Sequence, residues 1–73
     1  MSVTLTRIDP DRNMARFYKI DVQPTLFGEW AVIREWGRIG QGGRVCVVAY
    51  ATRGLADLAA VAWLGRKARR AYR

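Results

Sequence analysis

The chain has no histidine, one cysteine, two prolines and six carboxylates among its 73 residues. Each shortage removes a class of function. Without histidine, and with a single thiol, there is neither a set of zinc ligands nor a Cys-His or Ser-His nucleophile. Cys46 has no second cysteine to pair with in the chain, so no internal disulfide holds the fold. It stands in the run Val45-Cys46-Val47-Val48, which reads as a buried strand with the thiol as a small core residue. The carboxylates are scattered: Asp9 and Asp11 flank Pro10 in a turn-like cluster, and Glu35 stands alone beside an aromatic and basic segment. Acid–base catalysis has few groups to work with, so neither an enzyme activity nor a metal or cofactor site is expected. Long apolar runs are missing too. The stretch from Leu55 to Gly65 is short and carries Asp57, and the start Met1-Ser2-Val3-Thr4-Leu5-Thr6 lacks the charged and apolar regions of a signal peptide. A cytoplasmic protein that does not enter a membrane is the expectation.

Positive charge is abundant. Thirteen Lys and Arg against six Asp and Glu give a net charge of +7, and the only lysines are Lys19 and Lys67. Such a field draws polyanions, and arginine suits bidentate phosphate contact. The same charge also serves solubility. The densest signal is Trp36-Gly37-Arg38-Ile39-Gly40-Gln41-Gly42-Gly43-Arg44. Glycine lets a backbone approach a ligand, guanidinium groups donate to phosphate, and tryptophan offers a flat face to a base or sugar. A glycine-rich segment between two strand-like runs is equally the mark of a hairpin turn. No Lys-Ser or Lys-Thr pair follows the glycines, so this is not a nucleotide-hydrolysing phosphate loop.

Residues 73 in number suffice for one domain with one modest core. Thr4 to Ile8 reads as a strand, closed by the turn residues Asp9-Pro10-Asp11-Arg12-Asn13. Arg16 to Val22 alternates, with Tyr18, Ile20 and Val22 on one face. After the break Pro24 to Gly28, residues 29 to 38 place Trp30, Val32, Arg34, Trp36 and Arg38 together on one face. Either that stripe is an aromatic and basic binding surface, or Trp30 and Val32 are core and Trp36 is a strand-edge aromatic. Arg44 to Ala51 forms a fourth strand. Thr52 caps a helix whose stripe of Leu55, Leu58, Val61 or Ala62, Gly65, Ala68 and Tyr72 packs on the sheet. Its final turns carry Arg66, Lys67, Arg69, Arg70 and Arg73, cations matched to the helix dipole and, secondarily, available to phosphate. The expected fold is α+β, a small antiparallel sheet of four strands or more with one C-terminal helix on one face.

In this order, Asn13 to Tyr18, Phe27-Gly28-Glu29-Trp30, Trp36-Gly37-Arg38-Ile39-Gly40 and a basic helix ending at Tyr72 make the chain resemble a WGR domain over nearly its whole length, residues 1–73. The resemblance implies a small antiparallel sheet with a helix, found in DNA-damage-responsive poly(ADP-ribose) polymerases and in bacterial proteins, where it stands alone in some. In the polymerases the domain binds DNA near a strand break. Carried over, Trp36 is the stacking plate and Arg38 the anchoring cation, while Gly37 and Gly40 keep the backbone close. Ala71 precedes Tyr72 where the family commonly has glycine, so the geometry at the helix end is expected to differ. The sequence shows no zinc-finger, helical regulatory or ADP-ribosyl-transferase domain, and the polymerases' enzyme activity does not carry over.

The resulting expectation is a non-catalytic module for DNA ends, nicks or 5′ phosphates, with RNA as the other candidate polyanion. Its site residues are Trp36, Gly37, Arg38, Arg34, Gly40, Gln41 and Arg44. The alternative is an adaptor whose Trp and Arg face docks a separate protein in trans.

Overall fold

The computed structural model describes residues 2–70 and Tyr72, so the expectations attached to Ala71 and Arg73 lie outside the described residues. The alternating segments form strands β1 (Ser2–Asp9), β2 (Met14–Pro24), β3 (Trp30–Arg38) and β4 (Arg44–Tyr50), followed by helix α1 (Arg53–Arg69). The strands pair in sequence order as one antiparallel sheet, and α1 returns across one face. This is the expected α+β architecture.

Local chemistry sets each reversal. Between β1 and β2, Pro10–Arg12 make a single 3-10 turn. Asn13 then takes the left-handed conformation at φ 51°, a role its short polar side chain tolerates, and its N–H donates to the Pro10 carbonyl at 3.1 Å. Between β2 and β3 the Thr25 hydroxyl accepts from the N–H groups of Phe27 and Glu29 at 3.2 Å each. At the tip between β3 and β4, Gly40 takes φ 86°, and Gln41 N–H donates to the Arg38 carbonyl at 3.1 Å. Thr52 caps α1 by accepting from Leu55 N–H at 3.2 Å.

The core lies between sheet and helix. Tyr18, Ile20, Val22 and Val32 from the sheet meet Ala56 and Ala60 from the helix, and Val3, Trp30, Trp36, Tyr50, Trp63 and Leu64 pack around them. Burying a side chain the size of Ile20 or Val32 contributes about 1.5–3 kcal/mol.

Two expectations about burial are corrected. The helix does not bury the Leu55, Leu58 and Val61 stripe, whose residues are 49%, 69% and 61% exposed. It buries Ala56 and Ala60, with Trp63 and Lys67 half-buried on the same side. Large aliphatic side chains dominate a periodicity reading, but a helix lying close on a sheet needs small ones at the contact. The run Val45-Cys46-Val47-Val48 is a strand but not a buried one. β4 is an edge, α1 lies mainly over β2 and β3, and Val45, Val47 and Val48 are 58%, 59% and 40% exposed. Cys46 is half-buried, on the helix side.

Glycine matters most where β3 meets its own hairpin. A Cβ on Gly37 would lie 2.9 Å from Gly43 Cα; one on Gly43 would lie 2.6 Å from the Trp36 carbonyl oxygen and 2.9 Å from Phe17 Cζ. The tip folds back onto its strand with no room for side chains. Gly43→Ala is expected to lower stability by about 1–3 kcal/mol. Gly65→Ala, inside α1 and facing open space, is expected to raise it by about 0.5–1 kcal/mol. Urea unfolding of both variants checks the pair; equal effects would show that crowding at the tip is not what selects glycine.

Candidate functional site

At one end of the sheet, beside the β1–β2 and β3–β4 reversals, Arg16, Trp36, Gly37, Arg38, Lys67 and Tyr72 line a cleft of about 410 Å³. Its floor follows from the pairing register. Trp36 stands opposite Tyr18 on β2 and Arg44 on β4, and Arg38 stands opposite Arg16. Residues directly opposite in a sheet share a face, so Arg16, Tyr18, Arg34, Trp36, Arg38 and Arg44 all lie on the helix side. The C-terminal part of α1 brings Lys67 over them, and the backbone beyond it returns to the same carbonyl: Arg70 and Tyr72 N–H donate to Lys67 O at 3.0 and 3.2 Å.

Cations and aromatic rings alternate around the cleft. The Arg34 guanidinium lies 3.8 Å from the Trp63 ring centre and 5.6 Å from that of Trp36, while Arg66 lies 4.7 Å from Trp63 on the helix. Lys67 Nζ is 4.9 Å from the Tyr18 ring and 5.1 Å from the Tyr72 ring. Such contacts hold a cation without neutralising it. Arg34 also donates to Cys46 Sγ at 3.2 Å. Arg38 donates to the Asn13 carbonyl at 3.3 Å and reaches the Asn13 side-chain oxygen at 3.5 Å, tying the two reversals together.

Among the described residues no carboxylate lines this cleft. The ion pairs among the described residues are Arg12–Asp9 and Arg53–Asp57, neither of which belongs to its lining. Asp21 and Glu35 belong to the opposite face of the sheet. The consequence registers on Lys67, whose pKa is held below its ordinary 10.5 by burial first and then by the charges of Arg70, Arg34 and Arg16. Under α1, the Tyr18 hydroxyl is buried, and no group among the described residues meets it in hydrogen-bond geometry. Burial raises its pKa, and the Arg34 guanidinium beside it, as a donor and as a charge, opposes that rise.

Of the residues expected from sequence, Trp36, Gly37 and Arg38 line the cleft. Arg44 adjoins Trp36 across the strand and is exposed. Arg34 lies on the same face but deeper, clasped by Trp63 and Cys46. Gly40 and Gln41 form the hairpin tip, and Gly37 meets the tip rather than open space. Arg16 and Tyr72 were not among the expected site residues, and Lys67 was expected first as a cation matched to the helix dipole and only secondarily as a phosphate contact. The signals were present: Arg16 has the same parity as Tyr18 and Ile20, and Lys67 continues the Ala56, Ala60, Trp63 spacing.

The WGR domain family model matches residues 1–73, the entire chain. A relative from Sinorhizobium fredii (strain NBRC 101917 / NGR234), named as uncharacterized protein y4dW, is 51% identical over 41 residues, 56% of this chain and 20% of that protein. The aligned stretch thus spans a fifth of that relative's length. No solved structure matches.

Two consequences are open to measurement. Tyr18→Phe removes a desolvated hydroxyl that makes no hydrogen bond, so thermal unfolding should show no loss of stability; a loss above about 1 kcal/mol would mean the hydroxyl is partnered. For Lys67 the folded pKa is depressed, so the fold penalises the charged form fully below that depressed value and not at all above 10.5. Relative to Lys67→Met, the native chain should gain stability as pH rises through that window. Paired urea titrations in neutral and alkaline buffer read the sign.

Proposed function

Because the chain belongs to the WGR domain family, we propose that it is a non-catalytic nucleic-acid-binding module that recognises DNA ends, nicks or 5′ phosphates. The family is non-catalytic, and its domain binds nucleic acid in poly(ADP-ribose) polymerases. One observation carries the reading for this chain: a cleft in which Arg16, Arg38 and Lys67 surround Trp36 and Tyr72 with no carboxylate among its lining residues. An anion entering it relieves the mutual repulsion of the cations.

In this reading Trp36, packed against the core along part of its surface and lining the cleft along the rest, stacks on a terminal base or sugar. Arg38 and Arg16 contact phosphate from the sheet, Lys67 from the helix, and Arg44 from the flanking strand. Arg34 sits behind this layer and adds field, while Gly37, Gly40 and Gln41 shape the hairpin that presents Trp36 and Arg38. Phosphate contacts carry no sequence information, so recognition is of structure rather than sequence.

The test is fluorescence-anisotropy titration of a nicked, 5′-phosphorylated duplex against intact duplex and single-stranded DNA and RNA at several salt concentrations. The nicked duplex should bind tightest. With roughly 3 to 5 phosphate contacts, log affinity should fall against log salt with a slope of about −3 to −4.5. Trp36→Ala should cost about 1–3 kcal/mol in binding, and Arg16→Ala should flatten the salt slope by about 0.9. Equal, strongly salt-dependent binding to every nucleic acid would reduce the reading to general polyanion attraction. Absence of binding at low salt would move it to a protein adaptor.

A further inference from the structure

β1 is the outermost strand of the sheet, so one side of its backbone has no neighbouring strand. Among the described residues, Ser2–Asp9 make no backbone hydrogen bond outside their pairing with β2. What distinguishes this edge is the surface beside it. α1 lies mainly over β2 and β3, and a shallow groove of about 380 Å³ runs between its flank and β1. Val3 and Leu5 line it from the strand, and Val61, Leu64, Gly65 and Ala68 from the helix, with no polar side chain among them. Gly65 keeps the helix wall low: a Cβ added there would meet nothing within 4 Å.

The charge beside the groove has one sign in excess. Arg7 follows Leu5 on the same side of β1, because Leu5 stands opposite Tyr18 and Arg7 opposite Arg16. Arg69, which is exposed, stands one turn beyond Gly65 on α1. Asp9, two residues beyond Arg7, and Asp57, one turn before Val61, are paired within the chain to Arg12 and Arg53 at 3.6 Å each. Arg7 and Arg69 belong to neither pair.

We propose that this groove binds an extended acidic peptide segment of a partner protein, which joins the sheet as a strand antiparallel to β1. The free edge supplies main-chain hydrogen bonds, and the groove selects alternate side chains. The pairing rules then fix the pattern of the ligand. Residues facing each other across an antiparallel ladder share a side, and side chains alternate along each strand. The residues opposite Val3 and Leu5 enter the groove and are apolar. The residue opposite Arg7 stands beside a guanidinium group and is Asp or Glu. Those between them lie with Thr4 and Thr6 on the open side and are polar. From its N-terminus the segment reads acidic, polar, apolar, polar, apolar.

Other occupants fit less well. A second copy would bring +7 against +7. Nucleic acid would set phosphates against a lining of carbon. A lipid surface offers nothing to the free N–H and C=O groups of β1.

Fluorescence anisotropy of the labelled peptide Thr-Glu-Thr-Leu-Thr-Leu-Thr with the full chain, free of DNA, tests the proposal. The expected result is saturable one-to-one binding. The scrambled peptide Leu-Leu-Thr-Thr-Glu-Thr-Thr has the same charge but no alternation, and should bind about ten-fold more weakly or worse. Gly65→Leu, which fills the groove with a better helix former, should weaken binding of the alternating peptide by a similar factor. Arg7→Glu should weaken it about five-fold and strengthen binding of the same peptide with Lys in place of Glu, a reversal that misfolding does not produce. Bound peptide should also slow amide hydrogen exchange along Ser2–Asp9. Equal binding of the two peptides, indifference to Gly65→Leu, or binding without protection of the β1 amides would each overturn the proposal. Failure of the peptide to bind would overturn it as well. In that event, a Gly65→Leu chain that is released from phosphatidylserine vesicles assigns the face to a membrane, and one that loses a dimer in sedimentation assigns it to a second copy. The groove shares no lining residue with the basic cleft. Gly65→Leu should therefore leave affinity for the nicked duplex unchanged, and this proposal and the nucleic-acid reading fail separately.

Discussion

Two methyl groups set the depth at which the helix lies. Ala56 and Ala60 are both fully buried against the sheet cluster of Tyr18, Ile20, Val22 and Val32. Side chains of any greater length at those positions would lift α1 away. The close seat has effects well beyond the core, because the helix acts as a rigid lever. Two turns further on, the same face lowers Trp63 onto Arg34 and brings Lys67 over Tyr18. The cleft exists only while that distance holds. Packing of small apolar groups in the middle of the molecule thus determines the geometry of the charged groups at its end.

Charge is distributed as unevenly as it is supplied. The carboxylates occupy the β1–β2 reversal, the open face of the sheet, the β2–β3 loop and the first turns of the helix. Arg16, Arg34, Arg38 and Arg44 of the sheet and Lys67 of α1 gather instead on the helix face, where no described carboxylate joins the lining of the cleft. The helix C-terminus itself presents partial negative charge, which Arg66, Lys67 and Arg69 in the last turn offset. Aromatic rings then do what carboxylates do elsewhere in proteins: they hold long cationic side chains in place. The difference is that a ring leaves the charge uncancelled, so the folded molecule keeps its field and bears a repulsion that adds to burial in depressing Lys67.

Alternation made the strands legible, and turn chemistry made their connections legible. Tyr18, Ile20 and Val22 on one side of β2, and Trp30 through Arg38 on one side of β3, were readable because a strand's period of two is strict and neither strand is an edge. Trp36, Gly37 and Arg38 were readable because glycines, guanidinium groups and an indole stood within a few residues. The helix face was not. Its alanines carry little hydrophobic weight beside Leu55 and Leu58, and only the partner surface decides which stripe is nearer. β4 was misjudged because an unbroken apolar run has no marker of edge or centre. Arg16 escaped, and Lys67 was given only a secondary role, because they join the cleft through strand register and helix seating, relations between distant segments that no local motif encodes.

The glycine at the centre of the Trp-Gly-Arg tripeptide has a reason that concerns neither ligand nor charge: its α-carbon lies where the returning hairpin tip leaves no space. The tripeptide is therefore, in part, the signature of a loop closure. Homologues can be expected to retain it wherever this hairpin survives, including in chains that have replaced Arg16 or Lys67 and lost the cleft. In such chains the tripeptide alone would mark the hairpin, and the cleft would have to be read from Arg16 and Lys67 as well.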